Sequence, residues 1–167
     1  VFSLNGERCT AGSRILVERS VYDEFVERYA AQASRVVVGL PHEPATEVGA
    51  LVHPEHFAKV MSYVEIGKTE GRLVAGGGRA PGFPNGNFVA PTVFADGAPE
   101  ARICQEEIFG PVVTITPFES DEEALQLANG VKYGLAAYVW TNDLTRAHTF
   151  AQAIESGMVW LNSNNVR

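Results

Sequence analysis

Cysteine is scarce here: Cys9 and Cys104 are the two in 167 residues. They lie in unlike contexts, so no disulfide framework is expected, and a reducing cytoplasm is the default compartment. Positive charge is also short. Thirteen Lys and Arg face twenty Asp and Glu, for a net charge of −7. Nucleic acid and anionic membrane surfaces both require a positive footprint, so neither is expected as a partner. No apolar run approaches the ~20 residues of a membrane span, and no signal peptide is visible. Gly76-Gly77-Gly78 lacks the strand-GxGxxG-helix context of a dinucleotide fingerprint and a P-loop lysine, so it reads as a flexible turn. His53 and His56 stand three apart with no further ligand at a suggestive spacing; metal is not expected, and both read as surface or capping histidines. There is no internal repeat. The chain begins at Val1 without a Met and runs to Arg167 just past a strong apolar strand signal, so both ends are expected to have been cut from something longer.

What is present is an alternation of strand and helix signals. Ser13–Glu18 reads as a strand. Val21–Arg35 carries Val21, Phe25, Val26, Tyr29 and Ala33 at helical spacing, with Ser20 as the expected N-cap. Pro54 suits the first turn of a second helix with an apolar stripe of Phe57, Val60, Met61 and Val64, and Gly71 suits its C-terminal cap. Leu73–Ala75 reads as a buried strand. Pro91 interrupts Phe88–Phe94 and demotes it to an edge or bulged strand. Val112–Thr116 is a strand, and Ser120 with Glu123 opens a helix that stops at Gly130. Leu135–Trp140, a helix capped by Asn142 or Asp143, and Met158–Leu161 complete the series. The expected fold is α/β: three layers, a mostly parallel sheet with helices on both faces. In such sheets the chemistry sits on loops at the carboxyl ends of strands.

Two segments stand out chemically. Asn5-Gly6-Glu7-Arg8-Cys9-Thr10-Ala11-Gly12-Ser13 places one cysteine in a polar, glycine-flanked turn beside an arginine. Reactive thiolates sit beside cations or free amides, but a turn cysteine alone is more often incidental. Gln105-Glu106-Glu107-Ile108-Phe109-Gly110-Pro111 carries two adjacent carboxylates, an aromatic and a Gly-Pro break. In an extended segment Glu107 and Phe109 share a side, where a carboxylate could grip a sugar diol and a ring could pack on a flat heterocycle. By itself this segment reads more readily as a solvated loop with one anchoring ring. Adjacent carboxylates diverge and do not suit a glycosidase acid pair. Cys104, beside Ile103, reads as a packing residue.

Taken together these segments resemble the aldehyde dehydrogenase superfamily. Asn5–Arg14 is similar to its active-site cysteine motif, and Gln105–Val112 to its Glu-Glu-Ile-Phe-Gly-Pro-Val signature. Asn87–Val93, Tyr133–Ala137 and Gly157–Asn162 also match, in order. The resemblance implies Cys9 as the nucleophile that forms a thiohemiacetal and then a thioester. It implies Glu107 on the nicotinamide ribose and Phe109 beside the nicotinamide end of NAD or NADP. Arg8, Thr10 and Arg167 would meet the substrate, a small-molecule aldehyde. Two arginines suit a carboxylated semialdehyde, since guanidinium grips carboxylate bidentately, and the flanking runs look most like the branch acting on hydroxymuconic-type semialdehydes. The chain would be the thiol-bearing catalytic domain truncated at both ends, with the cofactor-binding domain, the general-base Glu and the oxyanion Asn outside it. Its parent would be a homodimer or homotetramer, and the piece alone would be inactive. A stand-alone binding or structural module of the same fold, and a thioester-forming acyl-transfer relative, are the alternatives.

Overall fold

In this computed structural model, which describes residues 1–164, the chain divides into two compact units, Val1–Pro117 and Phe118–Arg167. The first is built around two strands that are buried on both faces. These are β3 (Thr92–Ala95), buried at all four positions, and β4 (Val112–Phe118), whose first five residues are buried. They run parallel, with Thr92 opposite Val112 and Ala95 opposite Ile115. Such strands need a cover on each face. Alternate residues supply the two surfaces. Val93, Ala95, Val113 and Ile115 pack with Tyr22, Val26 and Ala33 of α1 (Arg19–Ala33) and with Val17 of β1 (Arg14–Glu18). Phe94 and Val112 pack with Val60 and Val64 of α2 (Pro54–Glu70). The layers are helix, sheet, helix, as expected from the alternation. Full burial of each valine, isoleucine or phenylalanine side chain of this kind contributes about 1.5–3 kcal/mol.

The sheet order is β1-β4-β3-β2, where β2 (Arg72–Ala75) pairs antiparallel to β3 through a register shift between Leu73 and Ala75. The strand after Pro91 is therefore interior and not an edge. The proline precedes the first paired residue, so no ladder hydrogen bond is lost and β3 keeps both neighbours. The irregularity falls on β2 instead. Other sequence signals move by a residue or two. Ser20 is inside α1, which starts from Glu18 without a side-chain cap, and its hydroxyl donates to Glu18 at 3.2 Å. His53 Nδ1 caps α2 by accepting from the Glu55 amide. Gly71 ends α2 in an extended conformation, φ −153°, not the left-handed one of a glycine cap. After β3, a single helical turn, α3 (Arg102–Gln105), leads to the Glu106–Pro111 loop and so into β4.

The second unit holds α4 (Asp121–Asn129), β5 (Ala136–Val139), α5 (Leu144–Ala153) and β6 (Met158–Leu161). β5 and β6 pair in parallel as a two-stranded sheet of their own. Ser120 accepts from the Glu123 amide and Asp143 from the Arg146 amide, so both α4 and α5 start at side-chain caps. Among the described residues no helix is long and apolar enough to cross a membrane.

Candidate active site

The cysteine turn is built from an unfavourable backbone. Leu4, Asn5 and Gly6 have φ of 52°, 60° and 71°. For a non-glycine residue that conformation costs about 1–2 kcal/mol and persists only where the surroundings enforce it. The Asn5 side chain does so. Its Oδ1 accepts from the Gly49 amide at 2.7 Å, and its Nδ2 donates to the Ala50 carbonyl at 3.1 Å and to Glu7 Oε2 at 3.3 Å. Glu7 Oε1 in turn accepts from the Val52 amide at 3.1 Å. The turn is thereby tied to the 49–52 loop at three points. Gly6 is obligatory as well, because a Cβ there would collide with the Gly110 carbonyl.

Cys9 emerges from this fixed turn exposed, and neither its thiol nor its amide makes a hydrogen bond among the described residues. Arg8 beside it is half-buried, and no carboxylate pairs with its guanidinium among the described residues. Thr10 is buried at 9% exposure. Cys104 is the opposite case. Buried at 3% exposure, its thiol is pushed up by desolvation, against weaker help from Thr114 and Arg14.

The Glu106–Pro111 loop lies along one face of α2. His56 Nε2 donates to the Phe109 carbonyl at 2.6 Å, and Lys59 Nζ to the Glu107 carbonyl at 3.0 Å. Gly110 packs on Val60, and Tyr63 donates to Glu106 Oε2 at 2.5 Å. Residues 56, 59, 60 and 63 form one helical stripe. Arg102 completes the hold on Glu106 with two hydrogen bonds of 3.0 and 3.1 Å and lies 5.5 Å over the Tyr63 ring. The Tyr63 hydroxyl is pushed up, chiefly by its hydrogen bond to Glu106. The two carboxylates are thus divided: Glu106 is an anchor, while Glu107 is exposed with its backbone carbonyl fixed.

The extended alternation expected through this loop breaks at Phe109, whose φ is 59°. Gly110–Pro111 follows directly, and the Phe109 carbonyl accepts from His56. The ring is half-buried and meets the His56 ring edge-on at 6.1 Å. A fixed ring and an accessible carboxylate two residues away can still take a flat heterocycle and a diol.

The structure brings the two singled-out segments together. Gly6 abuts Gly110, and His56 stands between them, with Nε2 3.6 Å from Glu7 Oε1. Cys9, Arg8, Glu107 and Phe109 therefore belong to two touching loops of one unit. Arg167 lies outside the described residues. Sequence reasoning took His56 for a surface or capping histidine, whereas its side chain is largely buried and bound to the Phe109 carbonyl, and it did not single out Lys59. The signal was available, since polar residues at 56, 59 and 63 share a stripe with Val60, and a stripe of that kind can face a loop as well as solvent. Among the described residues no group of three His, Cys, Asp or Glu could hold a metal ion.

The aldehyde dehydrogenase family matches residues 1–167. The 5-carboxymethyl-2-hydroxymuconate semialdehyde dehydrogenase of Escherichia coli is 50% identical over 100% of this chain and 37% of its own length. The solved HpcC of Thermus thermophilus superposes with a TM-score of 0.96 at 53% identity, covering 100% of this chain and 34% of that one. PnpE of Pseudomonas sp. WBC-3, solved with nicotinamide adenine dinucleotide, gives a TM-score of 0.94 at 42% identity, over 98% of this chain and 34% of that one. The chain spans just over a third of the length of these relatives.

Proposed function

The chain belongs to the aldehyde dehydrogenase family, and we propose that it carries the thiol chemistry of an NAD- or NADP-dependent oxidation of an aldehyde to its acid. The observation that carries this reading is Cys9, exposed and unpaired among the described residues, on a turn that three outside hydrogen bonds hold rigid. The Cys9 thiolate adds to the aldehyde carbon, forming a C–S bond as the carbonyl electrons move to oxygen. The Cys9 amide, which has no other acceptor among the described residues, donates to that oxyanion. A bound nicotinamide supplies the acceptor for the hydride that then leaves the carbon. The chain's own part would be to hold that cofactor, with Glu107 placed to accept from ribose hydroxyls and Phe109 to pack beside the ring. The resulting thioester on Cys9 is released by water. The general base for that step and the oxyanion Asn lie outside this sequence, as the cofactor-binding domain does, so this chain alone is expected to be inactive.

The substrate class follows from Arg8. A half-buried guanidinium without a carboxylate partner among the described residues, one residue from the nucleophile, suits an acidic aldehyde. The substrate we favour is a carboxylated semialdehyde of the hydroxymuconate type, such as 5-carboxymethyl-2-hydroxymuconate semialdehyde, which the name of the E. coli relative supports. Thr10 and Arg167 complete the substrate side of this proposal, a homodimer or homotetramer is its parent assembly, and a reducing cytoplasm is its setting.

Iodoacetate and iodoacetamide test it on the chain itself. Cys9 should react with iodoacetate faster, relative to iodoacetamide, than a free thiol does. Arg8→Met should reduce that ratio by about three- to ten-fold, the size of a partly desolvated charge pairing. A Cys9 no more reactive than free cysteine would sink the nucleophile, and a ratio unmoved by Arg8→Met would sink the acidic substrate.

A further inference from the structure

His56 touches both loops of the site and belongs to neither. Its Nε2–H donates to the Phe109 carbonyl at 2.6 Å while the same nitrogen lies 3.6 Å from Glu7 Oε1. Glu7 is two residues before Cys9 and is itself bound to Asn5 and to the Val52 amide. Both side chains are largely buried, at 18% and 15% exposure. On the next turn of the helix Lys59 holds the Glu107 carbonyl, and Val60 supports Gly110. Gly6 also abuts Gly110, and the strands that follow the two loops, β1 and β4, are neighbours in the sheet, with the Thr114 amide donating to the Ser13 carbonyl at 3.0 Å. His56 adds a side-chain link between the loops themselves.

We propose that His56 is a positioning residue that sets the cysteine turn against the Glu107–Phe109 loop, so that a movement of one is felt by the other. The inference rests on the reading of Cys9 and Glu107 as the two halves of one site. Its physical content is narrower. A perturbation of the second loop reaches Cys9 through the chain Phe109 carbonyl, His56 imidazole, Glu7 carboxylate. Binding at Glu107 and Phe109 would in this way adjust the approach of the thiol.

The test attaches a trifluoroacetonyl group to exposed Cys9 in the purified chain and follows its fluorine resonance, leaving buried Cys104 unlabelled. Lys59→Met frees the Glu107 carbonyl and should shift the Cys9 resonance. In a His56→Leu background the same Lys59→Met change should leave the resonance where it was, and His56→Gln, which keeps a donor of similar reach, should restore the shift. A purely structural histidine would not be rescued in this selective way. If His56→Leu unfolds the chain, Glu7→Leu removes the carboxylate that faces His56 from the other end and should abolish the shift equally. A shift of equal size with and without the link, or no shift on Lys59→Met, overturns the positioning role. Failure of the nucleophile is a separate result, read from the iodoacetamide rate of Cys9 and not from the label.

Discussion

The two loops of the site are fixed by opposite means. The cysteine turn is held through backbone geometry, with three successive left-handed residues, a glycine that tolerates no side chain, and an asparagine that satisfies the neighbouring loop. The Glu106–Pro111 loop is held through side chains from α2 and α3, namely two hydrogen bonds to carbonyls, a carboxylate clasped by Arg102 and Tyr63, and cations over an aromatic ring. Cys9 makes no hydrogen bond among the described residues, whereas the exposed Glu107 has its carbonyl fixed by Lys59. Backbone constraint suits a nucleophile that must be placed closely. Side-chain clasps suit a surface that receives a large ligand.

The comparison breaks hardest at glycine. Gly6→Ala must relieve a positive φ and a collision with the Gly110 carbonyl, so it should cost about 2–4 kcal/mol in urea unfolding and loosen the cysteine turn. Gly78→Ala, where an added Cβ meets nothing within 4 Å, should stay within about 0.5 kcal/mol. Equal costs would mean that the left-handed turn is not what holds the site.

The cysteines give the next largest effect. Cys9 is open to reagents and Cys104 reacts only through local unfolding, so native-state alkylation of Cys104 should be on the order of a hundred-fold slower or more. Urea should erase most of the difference. Comparable native rates would show that the Cys104 core opens readily, against its packing with Ile103 and Val64.

Strand–helix alternation was sufficient to anticipate the layers, because apolar periodicity is a local property of the chain. The motif residues were visible too, since Cys9 and Glu107 sit in distinctive polar runs. What could not be read locally was long-range pairing. Asn5 is spent on residues 49 and 50, Gly6 needs Gly110, and His56 reaches Phe109 across the fold. Pro91 misled for the same reason, because a proline's effect on a strand depends on whether it sits at or before the first paired residue. Phe109 also departed from the extended pattern, and its carbonyl accepts from a partner on another element.

The paired glutamates should differ by less. Glu106→Gln leaves Arg102 and Tyr63 without their carboxylate, while partial exposure limits the loss to about 1 kcal/mol. Glu107→Gln, at an exposed position, should cost less stability than Glu106→Gln and, in a full-length parent, weaken cofactor binding. A stability loss at Glu107 that matched Glu106 would remove the division between anchor and working carboxylate.

The smallest expected effect concerns pH and separates the loops by chemistry. The Tyr63 hydroxyl is raised above 10, first by its hydrogen bond to Glu106 and then by burial. A group whose folded value exceeds its unfolded one stabilises fully below the unfolded value and loses that contribution as pH rises through the folded value. The clasp on Glu106 should therefore weaken above about pH 10 and be indifferent to acidification toward neutrality. Other groups fade in the same range, because Tyr22 and Tyr29 are each pushed up to about 12. The measurement is consequently a difference: the melting temperature of the chain minus that of Tyr63→Phe, followed from pH 8 to pH 12. That difference should shrink above about pH 10. A difference that stayed level would mean that Tyr63 supports the loop through its ring, beneath Lys59 and Arg102, and not through its hydroxyl. In that case Tyr63 would hold the second loop by packing, and the side-chain hydrogen bonds that contrast with the cysteine turn would narrow to those of His56, Lys59 and Arg102.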